Sequence, residues 1–166
     1  MLYLSIKYVH VIGATVLLGT GAGIAFFMLI AHLRNNPIEI AGVARTVVLA
    51  DFIFTASAVV VQPLTGVWLA QSLGYSLVEG WIVLSIVLYI VTGAFWLPVV
   101  WMQIRIRDLA IEAVKTNTPL PRTYRRLFWW WFAFGFPAFA AVLSIFWLML
   151  AKPPVRLWPF AVAAGF

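Results

Sequence analysis

Four apolar runs, each long enough to cross a bilayer, constrain this chain more than any other feature of its sequence. A membrane-spanning helix needs about 20 predominantly apolar residues. The runs lie at residues 4–31, 41–70, 81–102 and 128–150. Only 10% of the residues are charged, against about 25% in soluble domains. We therefore predict an all-α integral membrane four-helix bundle, in which residues 1–166 form a single membrane domain surrounded by the lipid bilayer.

The distribution of lysine and arginine predicts the orientation of this bundle. Eight of the 11 lie in or beside the connections that join runs one and two and runs three and four. The other three, near the ends of the chain, are Lys7, Lys152 and Arg156. Positive residues are enriched on the cytoplasmic side. We expect an N-out/C-out, multi-pass protein of the bacterial cytoplasmic (inner) membrane, and no nucleic-acid partner despite the net charge of +6.

Several chemistries are excluded by the residues that are missing. The chain has no cysteine, so it has no disulfide, no thiolate metal site and no covalent c-type haem attachment. It also lacks the GxSxG, Walker and HExxH motifs and any clustered pair of carboxylates. A metal or cofactor must therefore be held by histidine, methionine or oxygen ligands.

Polar side chains gather in the outer half of the predicted bundle. Counting 1.5 Å of rise per residue places His10, Gln62, Tyr89 and Met149 at comparable depth. The cations Lys7, Lys152 and Arg156 lie above them at the outer rim. Ionisable groups within the membrane usually mark functional sites. A b-type haem needs an axial ligand and an apolar slot, and rim cations would hold its propionates.

His10 is the predicted iron ligand, and Lys7, three residues earlier on the same face, would pair with a propionate. A second axial ligand would come from Met149, Tyr89, another chain or a substrate, and an open sixth position is the alternative. Quinone and lipid are alternative occupants of the pocket, and a hydrogen-bonded histidine without a cofactor is the simplest alternative for His10. His32, about 33 Å away along the helix, has an expected interfacial role.

Asp51 is the other ionisable residue near the middle of a run. We expect it to be protonated, hydrogen-bonded to Thr55 one turn on, or linked to water. A role as a proton relay and a role as a neutral acid that joins two helices are the two hypotheses.

The sequence GTGAG places Gly19 and Gly23 in a GxxxG motif. Such motifs bring membrane helices into close contact, so these glycines would serve either packing inside the bundle or a homodimer. Pro63, Pro98 and Pro137 lie inside runs two, three and four, and each is expected to bend its helix.

Short motifs in all four runs resemble a known group of membrane proteins. The segments are IKYVHVIGATVLLG, QPLTGVWLAQ, GWIVLSIVLYIVTG and FPAFAAVLSIFWLMLAKPP. They resemble the haem-binding four-helix membrane protoporphyrinogen IX oxidases, whose first helix carries Lys-x-x-His. The resemblance extends to the membrane domain of copper-resistance protein D and to a bacterial family of predicted integral membrane proteins (DUF2269-like), which is the best single placement.

The resemblance implies that the haem-binding histidine of the oxidases corresponds to His10. The chain has Ser85 or an apolar neighbour where the oxidases carry a third-helix lysine, and Gly135-Phe136 where they carry Asn-Glu. These departures favour haem binding over porphyrinogen oxidation. The predicted function is haem b binding with an electron-transfer or small redox role, as a haem-dependent oxidoreductase or carrier. A non-catalytic packing or assembly subunit and a copper-handling protein are the alternatives.

Overall fold

A computed structural model of the chain describes residues 1–155, and these residues form four long helices without strands. The helices are α1 (Leu2–Arg34), α2 (Pro37–Ser72), α3 (Gly80–Lys115) and α4 (Arg122–Ala151). All four are long and apolar enough to cross a membrane. The predicted all-α four-helix membrane bundle is confirmed, and each helix extends beyond the predicted span at one or both ends.

The turn between α1 and α2 is short because two asparagines end one helix and begin the next. Asn35 adopts a left-handed backbone conformation with φ 52°, which asparagine tolerates better than most residues. The Asn36 side chain then accepts a hydrogen bond from the backbone N–H of Ile38 at 3.0 Å. Pro37 follows as the first residue of α2, where its missing N–H leaves no helical hydrogen bond unmade.

The connection between α3 and α4 lies at the same end of the bundle. Helix α3 continues well past the predicted span and ends at Lys115, and Asn117 has φ 50°. Pro119 and Pro121 then exclude helix until α4 begins at Arg122. We call the end with these two connections the inner half of the bundle, following the predicted orientation, and the opposite end the outer half.

All four helices meet in the inner half. Tyr124 and Phe128 of α4 are fully buried there, and alanines of the other helices allow close approach. The buried cluster comprises Ile24, Met28 and Ala31 of α1, Ile40, Ala41, Ala44 and Val47 of α2, Met102, Ile106, Ala110 and Ala113 of α3, and Tyr124, Phe128 and Trp131 of α4. Leu120, in the connection between α3 and α4, also belongs to this cluster.

The outer half is organised differently, as two pairs of helices. The inner part of α2 packs on both α1 and α3, whereas its outer part, Ala56–Ser72, packs on α1. Helix α4 packs chiefly on α3 along the bundle. At the outer tip, Trp81, Ile82 and Leu148 form a second, smaller cluster that also contacts Ala70 of α2. The outer half is therefore an α1–α2 pair beside an α3–α4 pair.

A π-helical turn, Asp51–Thr55, lies in α2 where the two halves of the bundle meet. The N–H of Ala56 donates to the carbonyl of Asp51, five residues earlier. Helix α1 packs against α2 before, along and after this turn. Turns of this kind occur frequently at functional sites.

The inner cluster predicts an uneven response to large-to-small substitutions. Phe128→Ala removes a fully buried ring and is expected to cost about 3–5 kcal/mol of unfolding free energy. Leu143→Ala, on the same helix but 47% exposed, is expected to cost less than about 0.5 kcal/mol. Unfolding of both variants in matched micelles, followed by circular dichroism, measures the difference. Equal losses would contradict the assignment of the core to the inner half.

Candidate functional site

His10 lies in the outer half, on the side of α1 that faces α2. Its Nδ1 is 2.8 Å from the hydroxyl oxygen of Thr65. The Thr65 hydroxyl oxygen also lies 2.7 Å from the carbonyl oxygen of Val61 and 3.2 Å from that of Gln62. When its one hydrogen goes to Val61, the oxygen accepts from His10, and Nδ1 carries the ring hydrogen. Nε2 is then left with a lone pair, which is the form of histidine that binds a metal ion.

Gln62 supports the same part of α1. Its Nε2 donates to the backbone carbonyl of His10 at 2.8 Å. Two glycines make room for this arrangement. A Cβ on Gly13 would collide with the Gln62 amide, and a Cβ on Gly66 would lie 3.2 Å from Cε1 of His10. Gln62 thus positions the helix segment that carries His10, and its amide is already hydrogen-bonded.

Tyr89 joins the two helix pairs of the outer half. Its hydroxyl donates a short hydrogen bond to the backbone carbonyl of Val59 on α2. Val59 lies four residues before Pro63, which has no N–H to give to that carbonyl. Tyr89 therefore supplies the hydrogen bond that the proline removes, and its hydroxyl is already engaged.

The residues predicted at or near the outer rim do not lie together around His10. Lys152 lies on the α3–α4 side, where its Nζ is 3.1 Å from the Tyr75 hydroxyl and 4.8 Å from the centre of the Tyr75 ring. Lys7 and Met149 are exposed, and within residues 1–155 neither makes a side-chain hydrogen bond. Arg156 lies outside the described residues. Among the predicted partners within residues 1–155, Gln62 is the one that makes a hydrogen bond to His10.

These contacts decide how well the outer half fits a haem. His10 offers Nε2, and its Nδ1–H is held by Thr65, which is the usual outer-shell arrangement of a metal-binding histidine. Tyr89 and Gln62 are committed to backbone carbonyls. Within the described residues no three His, Cys, Asp or Glu side chains cluster as a metal site. His10 is therefore the candidate ligand for a haem iron among the described residues.

His32 is built into the inner half and has the opposite ring form. Its ring stacks on Phe128 with the centres 3.7 Å apart. The Tyr124 hydroxyl lies 3.3 Å from Nδ1 and is fully buried, so it donates to that nitrogen. The ring hydrogen of neutral His32 is consequently on Nε2. His32 is thus a packing residue near the inner interface, which agrees with its expected role.

Asp51 is only 5% exposed, but its partner is not the expected one. The indole N–H of Trp96 on α3 donates to Oδ1 at 3.4 Å. Thr55, one turn on, is also buried, and its hydroxyl has no hydrogen-bond partner. The Thr55 hydroxyl does lie close enough to the Asp51 carboxyl to interact with it, but within residues 1–155 it completes no hydrogen bond of regular geometry. Through Trp96, Asp51 links α2 to α3.

The GxxxG motif does not pack inside the chain. A Cβ on Gly19 would meet nothing within 4 Å, and on Gly23 it would approach only Phe27 of the same helix. The interpretation that these glycines serve close packing within the bundle is wrong. This side of α1 turns away from the other described helices.

The sequence analysis did not identify three residues that take part in these sites. Thr65, Gly66 and Trp96 take part in the His10 and Asp51 contacts. Thr65 is three residues after Gln62 and shares a helix face with it, a spacing that could have identified it. Trp96 carries no comparable signal, because its contact with Asp51 depends on how α3 is rotated.

The close approach at Gly13 predicts a specific cost of adding one methyl group. Gly13→Ala is expected to destabilise the protein by about 1–3 kcal/mol, because the methyl group collides with the Gln62 amide. Gly21→Ala on the same helix, where a Cβ meets nothing within 4 Å, serves as the matched control. Thermal unfolding of the two variants tests this, and an equal midpoint for both would refute the contact.

Comparison with known proteins gives a family but no closer relative. The sequence profile of a family described as predicted integral membrane protein (DUF2269) matches residues 4–153. No curated protein and no solved structure matches the chain. The profile covers all four helices apart from the first residues of α1. The chain therefore belongs to the DUF2269 family of predicted integral membrane proteins.

Proposed function

We propose that this protein binds a b-type haem in the outer half of the bundle and takes part in electron transfer or a small redox reaction. The expected location is the bacterial cytoplasmic (inner) membrane. The observation that carries the proposal is the His10 ring, whose Nδ1–H is fixed by Thr65. Fixing that hydrogen leaves Nε2 as the coordinating nitrogen and selects one ring orientation, which lowers the entropy lost on metal binding.

The surroundings of His10 support an extended apolar ligand. Beyond the π-helical turn, α2 packs on α1 rather than on α3, and the helices of the outer half carry many exposed apolar side chains. Gly66 allows the His10 ring to lie directly against α2. A bound haem would supply one-electron chemistry, while the chain excludes water around it and holds the ligand nitrogen.

Charge at the outer rim supports the orientation of such a ligand. Lys7 lies one turn nearer the outer end than His10 and on the same helix face. An exposed ammonium group at this level suits an anionic propionate. Lys152 would have to leave Tyr75 to do the same, so we assign the principal propionate contact to Lys7.

The axial ligand set follows from the hydrogen bonds. Because the Tyr89 hydroxyl is used on the Val59 carbonyl, we do not assign it to iron. Met149 is on the last turn of α4 and 37% exposed. We therefore propose that His10 would hold the iron, and we assign no second ligand among the described residues.

The absorption spectrum of the purified, haem-supplemented protein tests the proposal. Wild type is expected to show a Soret band with one haem per chain, and His10→Ala is expected to lose it. His32→Ala is the matched control, because it removes the other histidine and should retain the band. A colourless wild-type protein, or an unchanged band in His10→Ala, would rule out the proposed site.

Thr65 gives a finer test of the same site. Thr65→Val keeps the shape of the side chain but removes the acceptor for Nδ1–H, and is expected to weaken haem affinity about 10–100-fold. Thr65→Ser restores the hydroxyl and should restore most of the affinity. If Thr65→Val bound haem as tightly as wild type, the ring form assigned to His10 would be incorrect.

A second candidate function is that of a non-catalytic assembly subunit. The observation that favours it is the open face of α1 at Gly19, where a Cβ would meet no atom of the described residues within 4 Å. Small residues allow membrane helices to approach closely. A homodimer through Gly19 and Gly23 would place two copies of α1 side by side.

Bulky substitution at this face distinguishes the candidates. Gly19→Leu is expected to leave the monomer folded, because the added side chain meets open space, and to abolish the dimer. The oligomeric state in lipid nanodiscs, measured by single-molecule photobleaching, gives the answer. A monomeric wild type, or a dimer that survives in Gly19→Leu, would exclude assembly through this motif.

A further inference from the structure

Asp51 places a carboxyl group in the middle of the membrane-spanning part of α2. It is the first residue of the π-helical turn and is 5% exposed. An aspartate at the centre of a membrane helix costs about 2.5–3.5 kcal/mol on insertion scales. A single helix-joining hydrogen bond is worth about 0.6 kcal/mol on average in membranes. Its link to Trp96 alone therefore does not offset the cost of keeping the carboxyl group there.

No positive charge compensates Asp51 within residues 1–155. The ion pairs there are Arg34–Glu39 and Arg107–Asp108, both near the inner end. Helix α1, which packs against the π-helical turn, has no titratable residue between His10 and His32.

The other two helices near Asp51 are equally poor in charge. On α2 itself the nearest charged residue is Arg45, which is exposed and lies on the inner side. On α3 the titratable residue closest to Trp96 in the outer direction is Tyr89, whose hydroxyl bonds to α2. With no cation to pair with, the carboxyl group is favoured in its neutral, protonated form.

Thr55 supplies the second and independent observation. It is 7% exposed, and its hydroxyl lies close enough to the Asp51 carboxyl to interact with it but completes no hydrogen bond of regular geometry within the described residues. It is the one buried side-chain polar atom without a partner in the described part of the chain. The buried residues Gln62, Ser85 and Gln103 all make hydrogen bonds. A hydroxyl left open beside a carboxyl group marks a place for a small polar ligand.

We propose that Asp51 and Thr55 bind one water molecule in the π-helical turn, and that protonated Asp51 with this water forms a proton-binding site inside the membrane. Trp96 donates to Oδ1, which leaves Oδ2 to carry the proton. The Oδ2–H group donates to the water oxygen, and a water hydrogen goes to the Thr55 hydroxyl oxygen. Release passes the proton from Oδ2 through this water to bulk water at the outer end of the bundle and leaves a carboxylate; uptake reverses the transfer.

The donor groups favour water over a metal cation. An indole N–H directed at the carboxyl group repels a cation in the same place, whereas it stabilises an acceptor. A cation such as Na⁺ would also require several oxygen ligands, and in the described residues the turn offers one carboxyl and one hydroxyl group. Water needs only two to four polar partners, which this site provides.

The position of the turn gives the site a route to the outer half. Asp51, Thr55, Ala58 and Gln62 follow the buried face of α2 toward His10. The inner direction is blocked by the close-packed cluster around Phe128. Proton exchange is therefore expected through the outer half, where the two helix pairs separate.

Infrared spectroscopy of the full chain in lipid nanodiscs tests this proposal and needs no bound haem. At pH 7 wild type is expected to show the C=O band of a protonated carboxylic acid, which shifts to lower frequency in D₂O. Asp51→Asn should lose the band. Asp108→Asn, which removes an acid of the inner surface, is the matched control and should keep it.

Thr55 variants test the water. In Thr55→Val the band should move to higher frequency, because a carboxylic acid that loses a hydrogen-bond partner has a stiffer C=O bond. Thr55→Ser should match wild type. The proposal is overturned by a wild type without the band, by a Thr55→Val band at the wild-type frequency, or by loss of the band on adding Na⁺. If Asp51→Asn does not fold, the comparison of wild type with Thr55→Val still decides.

Discussion

The pairing of backbone groups inside lipid is the constraint on which the outer half of this bundle depends. Every unpaired carbonyl at membrane depth costs several kcal/mol, and Pro63 leaves the Val59 carbonyl without its helical donor. Tyr89 satisfies that carbonyl from α3, so the proline is tolerated only while α2 and α3 stay in contact at this point. The same hydrogen bond limits how far the two helix pairs can separate around His10.

The two histidines show how local partners assign different chemistry to the same residue type. Thr65 accepts from His10 when its own hydrogen goes to the carbonyl of Val61. Tyr124 can only donate to His32, since its hydroxyl is buried with no other acceptor in the described contacts. In these ring forms, His10 has its free lone pair on Nε2, whereas the lone pair of His32 is on Nδ1 and accepts a hydrogen bond from Tyr124. Predicted depth and sequence spacing distinguished His10 from His32. The contacts add the physical reason why His10 is the candidate ligand.

The sequence predicts the number, order and approximate ends of the helices because those depend on the length of each apolar run. It does not predict helix rotation. In lipid both faces of a helix are apolar, so no polar stripe marks the side that packs. For this reason the sequence left open whether Gly19 packs inside the bundle or at a dimer contact, and it did not identify Trp96 as the partner of Asp51. For Tyr89 and Lys152, the sequence likewise did not indicate that they contact Val59 and Tyr75.

The two polar sites differ in a way that bears on how each would work. His10 lies in the outer half, where the four helices form two pairs, and the polar groups of Thr65 and Gln62 beside it are hydrogen-bonded. Asp51 lies where the tightly packed inner half ends, and there one buried hydroxyl has no partner. A site with all its hydrogen bonds made is rigid and holds a ligand in a fixed geometry. A site in which an unpaired hydroxyl group lies beside a neutral carboxylic acid can exchange a small ligand such as water. If both proposals hold, the chain combines a fixed ligand nitrogen on α1 with an exchangeable proton site on the face of α2 that leads toward it, and the packed inner half leaves the outer surface as the side from which both are reached.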